Sequence, residues 1–99
     1  MLNIEKKQEG EKAEILLDGR LDTVTAPELE EELKKIYPET SELVIDFEKL
    51  EYISSAGLRV LLSAQKVMNT RGTLIIRKVN ETVKEIFDVT GFSEILTVE

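Results

Sequence analysis

The chain reads as one α/β domain, with a mixed, mostly parallel sheet of four to five strands and helices packed against it. Three observations predict this. Short apolar runs, Ile15-Leu16-Leu17, Leu43-Val44-Ile45 and Leu74-Ile75-Ile76, alternate with longer segments whose apolar residues recur at helical spacing. Turn and cap residues separate the two kinds of segment. The strand-helix-strand order over residues 43–77 is a crossover unit, which predicts parallel pairing.

The elements follow in order. In residues 2–8, Leu2 and Ile4 alternate with polar neighbours, which predicts an edge strand. Gly10 permits a turn over residues 9–12, and residues 13–18 form the second strand of a hairpin. Gly19-Arg20-Leu21-Asp22 breaks the pattern. Thr25-Ala26-Pro27-Glu28 then reads as a helix start, with Thr25 placed to cap, Pro27 in the first turn and Glu28 completing a capping box. Leu29, Leu33 and Ile36 carry this helix to about Tyr37, before Pro38. Glu30 with Lys34, and Glu31 with Lys35, are i,i+4 pairs in the favourable order.

Residues 43–47 predict the central strand, and a loop leads from Asp46 to Tyr52-Ile53 and the paired hydroxyls Ser54-Ser55. A second helix should run from Ala56 to about Asn69, burying Leu58, Leu61, Leu62, Val67 and Met68, with Gly72 as its C′ residue. Residues 73–77 predict the next strand. Asn80 caps a third helix that buries Val83, Ile86 and Phe87 and ends at Gly91. Phe92, Ile95 and Leu96 should pack the tail onto the core, as a helical turn or a last strand. The order is β-β-α-β-α-β-α plus the tail, in a single domain over residues 1–99.

Composition narrows the function. Thirteen basic residues against 20 acidic ones give a net charge of −7, which argues against a nucleic-acid partner. With no cysteine and no histidine, there is no thiolate chemistry, no histidine-based triad and none of the commonest metal ligand. No metal or cofactor is expected. No apolar run approaches the ~20 residues of a membrane span and no signal-peptide pattern opens the chain, so the expected place is the cytoplasm. A hydrolase built on Ser55 lacks both the G-x-S-x-G elbow and a histidine base. A nucleotide enzyme lacks a G-x-x-x-x-G-K-[ST] loop.

The informative stretch is the one around Ser54-Ser55. These residues sit where a helix begins, and the unpaired N–H groups and macrodipole of a helix start favour negative charge. A phosphate on a serine there would find donors ready.

Residues 46–62, with YISSAGL at their centre, resemble the signature of STAS domains, a family named for sulfate transporters and anti-sigma factor antagonists. Gly19-Arg20-Leu21-Asp22 is similar to the family's loop after its second strand. Ile86-Phe87 and Thr90-Gly91-Phe92 are similar to its third helix and the turn beyond. The stand-alone bacterial anti-sigma factor antagonist is the form that fits best.

That resemblance implies a binding protein, not an enzyme. Its unphosphorylated form would bind an anti-sigma factor that is also a serine kinase, and so release the sigma factor. Phosphorylation of a serine at the start of the second helix would end the binding, and a phosphoserine phosphatase would reset it. The family pattern is an aspartate, the phosphorylated serine, a serine or threonine, glycine and leucine. Here these positions hold Ser54, Ser55, Ala56, Gly57 and Leu58. Ser55 is therefore the implied phosphoacceptor, with Ser54 the alternative. Asp22, Thr23, Asp46, Ser54, Ser55, Ala56, Gly57 and Arg59 form the implied partner surface. The other reading is a STAS assembly module without phosphate control, which the missing acid at Ser54 would suit.

Overall fold

The computed structural model describes residues 2–99. Strands β1 (Leu2–Glu9) and β2 (Lys12–Leu21) form the expected antiparallel hairpin. Helix α1 (Ala26–Ile36) crosses to strand β3 (Glu42–Ile53), and helix α2 (Ser55–Arg71) crosses to strand β4 (Thr73–Arg77). Helix α3 (Glu81–Thr90) follows, and then a 3-10 turn at Phe92–Glu94. The sheet order is β1-β2-β3-β4, with β2–β3 and β3–β4 both parallel. The tail adds a single parallel bridge from Val98 to Ile76 at the β4 edge. Of the two expected forms of the tail, the helical turn occurs and the last strand is reduced to this one bridge; Leu96 is buried, Phe92 is partly buried against the core and Ile95 stays exposed.

One apolar cluster joins the sheet to all three helices. Ile15, Leu17, Leu43, Ile45, Phe47, Leu74 and Ile76 come from the strands, and Leu29, Leu33, Leu61, Met68, Val83 and Phe87 come from the helices. Phe47 meets Phe87 with ring centroids 6.2 Å apart. Alternation along the strands puts Glu14, Leu16, Val44, Asp46, Ile75 and Arg77 on the other face, which carries no helix.

Several expectations are corrected. β2 does not stop at Asp18; it continues to Leu21 through Gly19, whose φ of 120° favours glycine. The loop expected between Asp46 and Tyr52 is strand. There β3 holds two extra residues relative to β2, since Leu16 pairs with Asp46 but Asp18 with Lys49, and Gly19 with Leu50 but Arg20 with Tyr52. These bulges change the inward spacing from two to three, so Phe47, Leu50 and Ile53 all point to the core.

Thr25 precedes α1 but makes no side-chain cap bond, and its buried hydroxyl turns back to the Arg20 carbonyl at 2.8 Å. Lys34 does pair with Glu30 at 3.9 Å, whereas Lys35 pairs with Glu32 at 3.2 Å instead of Glu31. Glu32 also holds Lys6 of β1. Gly72 ends α2 with extended φ, so its need is steric: a Cβ there would fall on the Ser41 carbonyl. Asn80 caps α3 as expected, accepting from Val83 N–H at 2.8 Å, and it also donates to the Leu50 carbonyl at 2.8 Å. Gly91 closes that helix with φ 82°.

Candidate phosphoacceptor and partner-binding site

The site is built where β2, β3 and α2 meet. Ser54 N–H donates to the Leu21 carbonyl at 2.9 Å, which ties the end of β3 to the end of β2. Extended backbone at Ser54 (φ −98°, ψ 177°) then turns the chain into α2, and Leu58 N–H closes the first helical bond onto the Ser54 carbonyl at 2.9 Å. Ser54, half-buried, is the N-cap, and its hydroxyl accepts from Gly57 N–H at a long 3.5 Å. Ser55 is the first helical residue and is exposed. The expected start at Ala56 is thus one residue late, because the cap is Ser54. The N–H groups of Ser55 and Ala56 have no partner among the described residues.

Gly57 lets this turn sit close. A Cβ at this position would lie 2.7 Å from Leu21 Cγ and 2.8 Å from Ile53 Cγ1. The helix start therefore rests on the two strand ends that the Ser54–Leu21 bond joins. Arg59 lies one turn beyond Ser55 on the same helix face, is exposed, and has no carboxylate partner among the described residues.

The loop between β2 and α1 is fixed by Asp22. Its Oδ1 accepts from Val24 N–H and Thr25 N–H, both at 3.0 Å, and from the Thr25 hydroxyl at 3.2 Å. Asp22 N–H in turn donates to Thr25 Oγ1 at 2.9 Å. The Thr25 N–H bond is the main reason that the Asp22 carboxyl is held below the usual aspartate range. Thr23 and Val24 stand exposed at the tip of this loop.

Asp22, Thr23, Ser54, Ser55, Ala56, Gly57 and Arg59 thus gather at one end of the sheet. Asp46 does not join them. It lies eight residues before Ser54 along β3, roughly 20–25 Å away at strand rise, on the face without helices. It is buried there, accepting from Glu48 N–H at 2.8 Å and lying 3.7 Å from Lys78 Nζ.

Sequence reading missed two neighbours of the site. Val24 is 78% exposed, and its signal was a lone β-branched apolar residue in the polar loop DTVTAP. Arg20 stacks on Tyr52 with its guanidinium 4.7 Å from the ring centroid, and this pairing became visible only once β3 was seen to run on to Ile53. Among the described residues, no group of three or more His, Cys, Asp or Glu side chains is placed to hold a metal. No helix of the described residues is long and apolar enough to cross a membrane.

The family model described as STAS domain matches residues 3–99. The chain belongs to the STAS domain family. This STAS domain is 37% identical over 84 residues to BtrV of Bordetella bronchiseptica, which carries the name anti-sigma factor antagonist; the match covers 83% of this chain and 72% of that protein. It is 30% identical over 99 residues to the anti-sigma-B factor antagonist of Staphylococcus aureus, covering 98% of this chain and 92% of the relative. Among solved structures it is similar to the anti-sigma factor antagonist SpoIIAA in its unphosphorylated form, with a TM-score of 0.79, 17% identity and coverage of 98% and 87% of the two chains. Bacillus SpoIIAA in its phosphorylated form gives a TM-score of 0.77 at 17% identity, with coverage of 98% and 91%. These last two likenesses concern the fold.

Proposed function

We propose that this STAS domain is an anti-sigma factor antagonist controlled by phosphate on Ser55. Unphosphorylated, it binds in the cytoplasm to an anti-sigma factor that is also a serine kinase, and the sigma factor is released. The kinase phosphorylates Ser55, the complex separates, and a phosphoserine phosphatase restores the binding form. The protein is a kinase substrate and a binding partner, and catalyses nothing itself.

The observation that carries this reading is the division between the two serines. Ser54 is half-buried and occupied as the cap, while Ser55 is exposed at the first helical position beside two free N–H groups. The names of the relatives support the antagonist role. The two SpoIIAA structures show that a domain of this fold keeps it when phosphorylated.

The physics of the switch has two sides. A phosphoserine adds about −1.5 to −2 charges at neutral pH. On its own helix start this charge is favourable by about 0.3–1 kcal/mol, so the fold tolerates it. Toward a partner the sign reverses. An interface shaped around a small hydroxyl gains a hydrated dianion beside Asp22, and like charges set against each other cost several kcal/mol.

The test is mass spectrometry after incubation with ATP and each anti-sigma serine kinase encoded in the same genome, with Ser55→Ala in parallel. One phosphate on Ser55, absent from the variant, is the expected result. Phosphate on Ser54 alone would move the acceptor. No phosphate with any kinase, together with tight binding to one of them, would replace the switch with an unregulated assembly module.

A further inference from the structure

Val24 is the feature of this surface that the proposed function leaves unexplained. It is 78% exposed, whereas the other exposed large apolar residues among the described ones, Val89, Ile95 and Val98, lie in the last turn of α3 and the tail. A single exposed valine is ordinary on a protein surface. Three observations set this one apart.

The first is rigidity. Asp22 Oδ1 takes the N–H groups of Val24 and Thr25, on either side of the Val24 Cα, Thr25 Oγ1 donates to the Arg20 carbonyl, and Ala26 N–H donates to the Asp22 carbonyl at 2.8 Å. An apolar group at the tip of a loop so fixed loses little freedom when it is buried in a partner.

The second is position. Leu21, whose carbonyl binds Ser54 N–H, is three residues from Val24, so its Cα lies at most roughly 11 Å away along the chain. A standard interface covers about 800 Å² on each partner, a patch of roughly 16 Å radius. A patch of that size centred between the two loops spans both Ser55 and Val24, so one partner can cover them together.

The third is a spare acceptor. All three hydrogen bonds to Asp22 go to Oδ1, and Oδ2 has no partner among the described residues. An apolar tip thus stands beside a free carboxylate oxygen.

We infer that Val24 is the apolar anchor of the interface with the anti-sigma factor, seated in a small apolar pocket of that partner, with Asp22 Oδ2 accepting a hydrogen bond from a donor on the pocket rim. This rests on the antagonist reading and names the residue that supplies affinity, as distinct from Ser55, which switches it. The loop would hold its shape in both phosphorylation states, and Ser55 alone would decide whether the anchor can seat.

The test is calorimetric titration against the cognate anti-sigma serine kinase, with Val24→Ala, Val24→Thr and Val89→Ala. Val24→Thr keeps the branched shape and adds a hydroxyl. Each Val24 variant is expected to bind about tenfold more weakly, with an unchanged thermal midpoint because the side chain is exposed. Val89→Ala, equally exposed at the far end, should bind within about twofold of wild type. Both Val24 variants binding like wild type, while Ser55→Asp binds poorly, would overturn the anchor and leave the switch standing. Unchanged affinity with loss of self-association in sedimentation would assign Val24 to a second copy and overturn the inference too. A wild-type protein that binds no anti-sigma kinase would remove the antagonist reading and the anchor with it.

Discussion

Ser54 and Ser55 are identical neighbours with different surroundings, and one backbone bond separates their roles. Ser54 N–H is committed to the Leu21 carbonyl, which holds Ser54 in extended backbone and makes it the cap. Ser55 falls one residue later, on the outside. In the sequence either serine suits a cap, so the pair was legible but its division was not. Asp22 was legible as the end of a break in the strand pattern, and Thr25 was misread as a side-chain cap because its hydroxyl is claimed by Arg20 five positions back. The Asp22 carboxyl leads to a prediction with a definite sign. Its folded pKa is lowered, first by the Thr25 N–H bond, with the Val24 N–H and the Thr25 hydroxyl adding to it. Its contribution to stability is therefore complete above the ordinary aspartate pKa and is lost as pH falls through the lowered one. Asp22→Asn keeps an acceptor for the turn but not the charge. The melting temperature of the wild type should exceed that of Asp22→Asn near neutral pH, and the gap should narrow as pH falls below the ordinary aspartate pKa and on through the lowered one. A gap that stays constant as the pH is lowered through the carboxylate range would contradict this.

At the scale of elements, the meeting of α2 with the ends of β2 and β3 positions the site. Gly57 makes that approach possible, since a Cβ would press on Leu21 Cγ and Ile53 Cγ1. Those atoms lie only one bond beyond Cβ, close to the backbone, so relief requires the helix start to move. Gly57→Ala gains at most about 1 kcal/mol of helix propensity and sets against it an overpacking cost of about 1–3 kcal/mol. A net loss of about 1 kcal/mol is expected, read as a fall in melting temperature of about 4–8 °C for a domain of this size. An unchanged or higher melting temperature would mean that the turn is not tightly seated. The same junction shows what the sequence concealed. The apolar triplets of β2, β3 and β4 are near-continuous, as strands buried in a parallel sheet are, and were easily read. Leu50 and Ile53 were not read as strand because two bulges space them by three, a period that suits neither a strand nor a full helix. The third helix, with Asn80 before it and Gly91 after it, was legible at both ends.

At the scale of the molecule, the chain keeps its core apart from its candidate site. The core lies between the sheet and three helices, whereas the site occupies one end of that sheet on exposed residues. On the proposed function, phosphate at Ser55 would therefore change the surface without entering the core. The net charge of −7 would add to the effect, because a further two negative charges on a molecule already acidic would strengthen repulsion from a partner's carboxylates. The lysines of β1, Lys6 and Lys7, charge one sheet edge, and the tail covers the other through Ile76 N–H to the Thr97 carbonyl at 2.9 Å and Glu99 N–H to the Ile76 carbonyl at 2.8 Å. Both devices discourage strand-to-strand association and leave the Ser55 end as the surface for recognition. The central claim is that one phosphate on Ser55 governs binding, and the most direct measurement is the dissociation constant of the complex with the anti-sigma kinase, taken before and after complete phosphorylation at Ser55. Weakening by about a hundredfold or more, ~2.8 kcal/mol, is the predicted result; equal affinity in the two forms would contradict it.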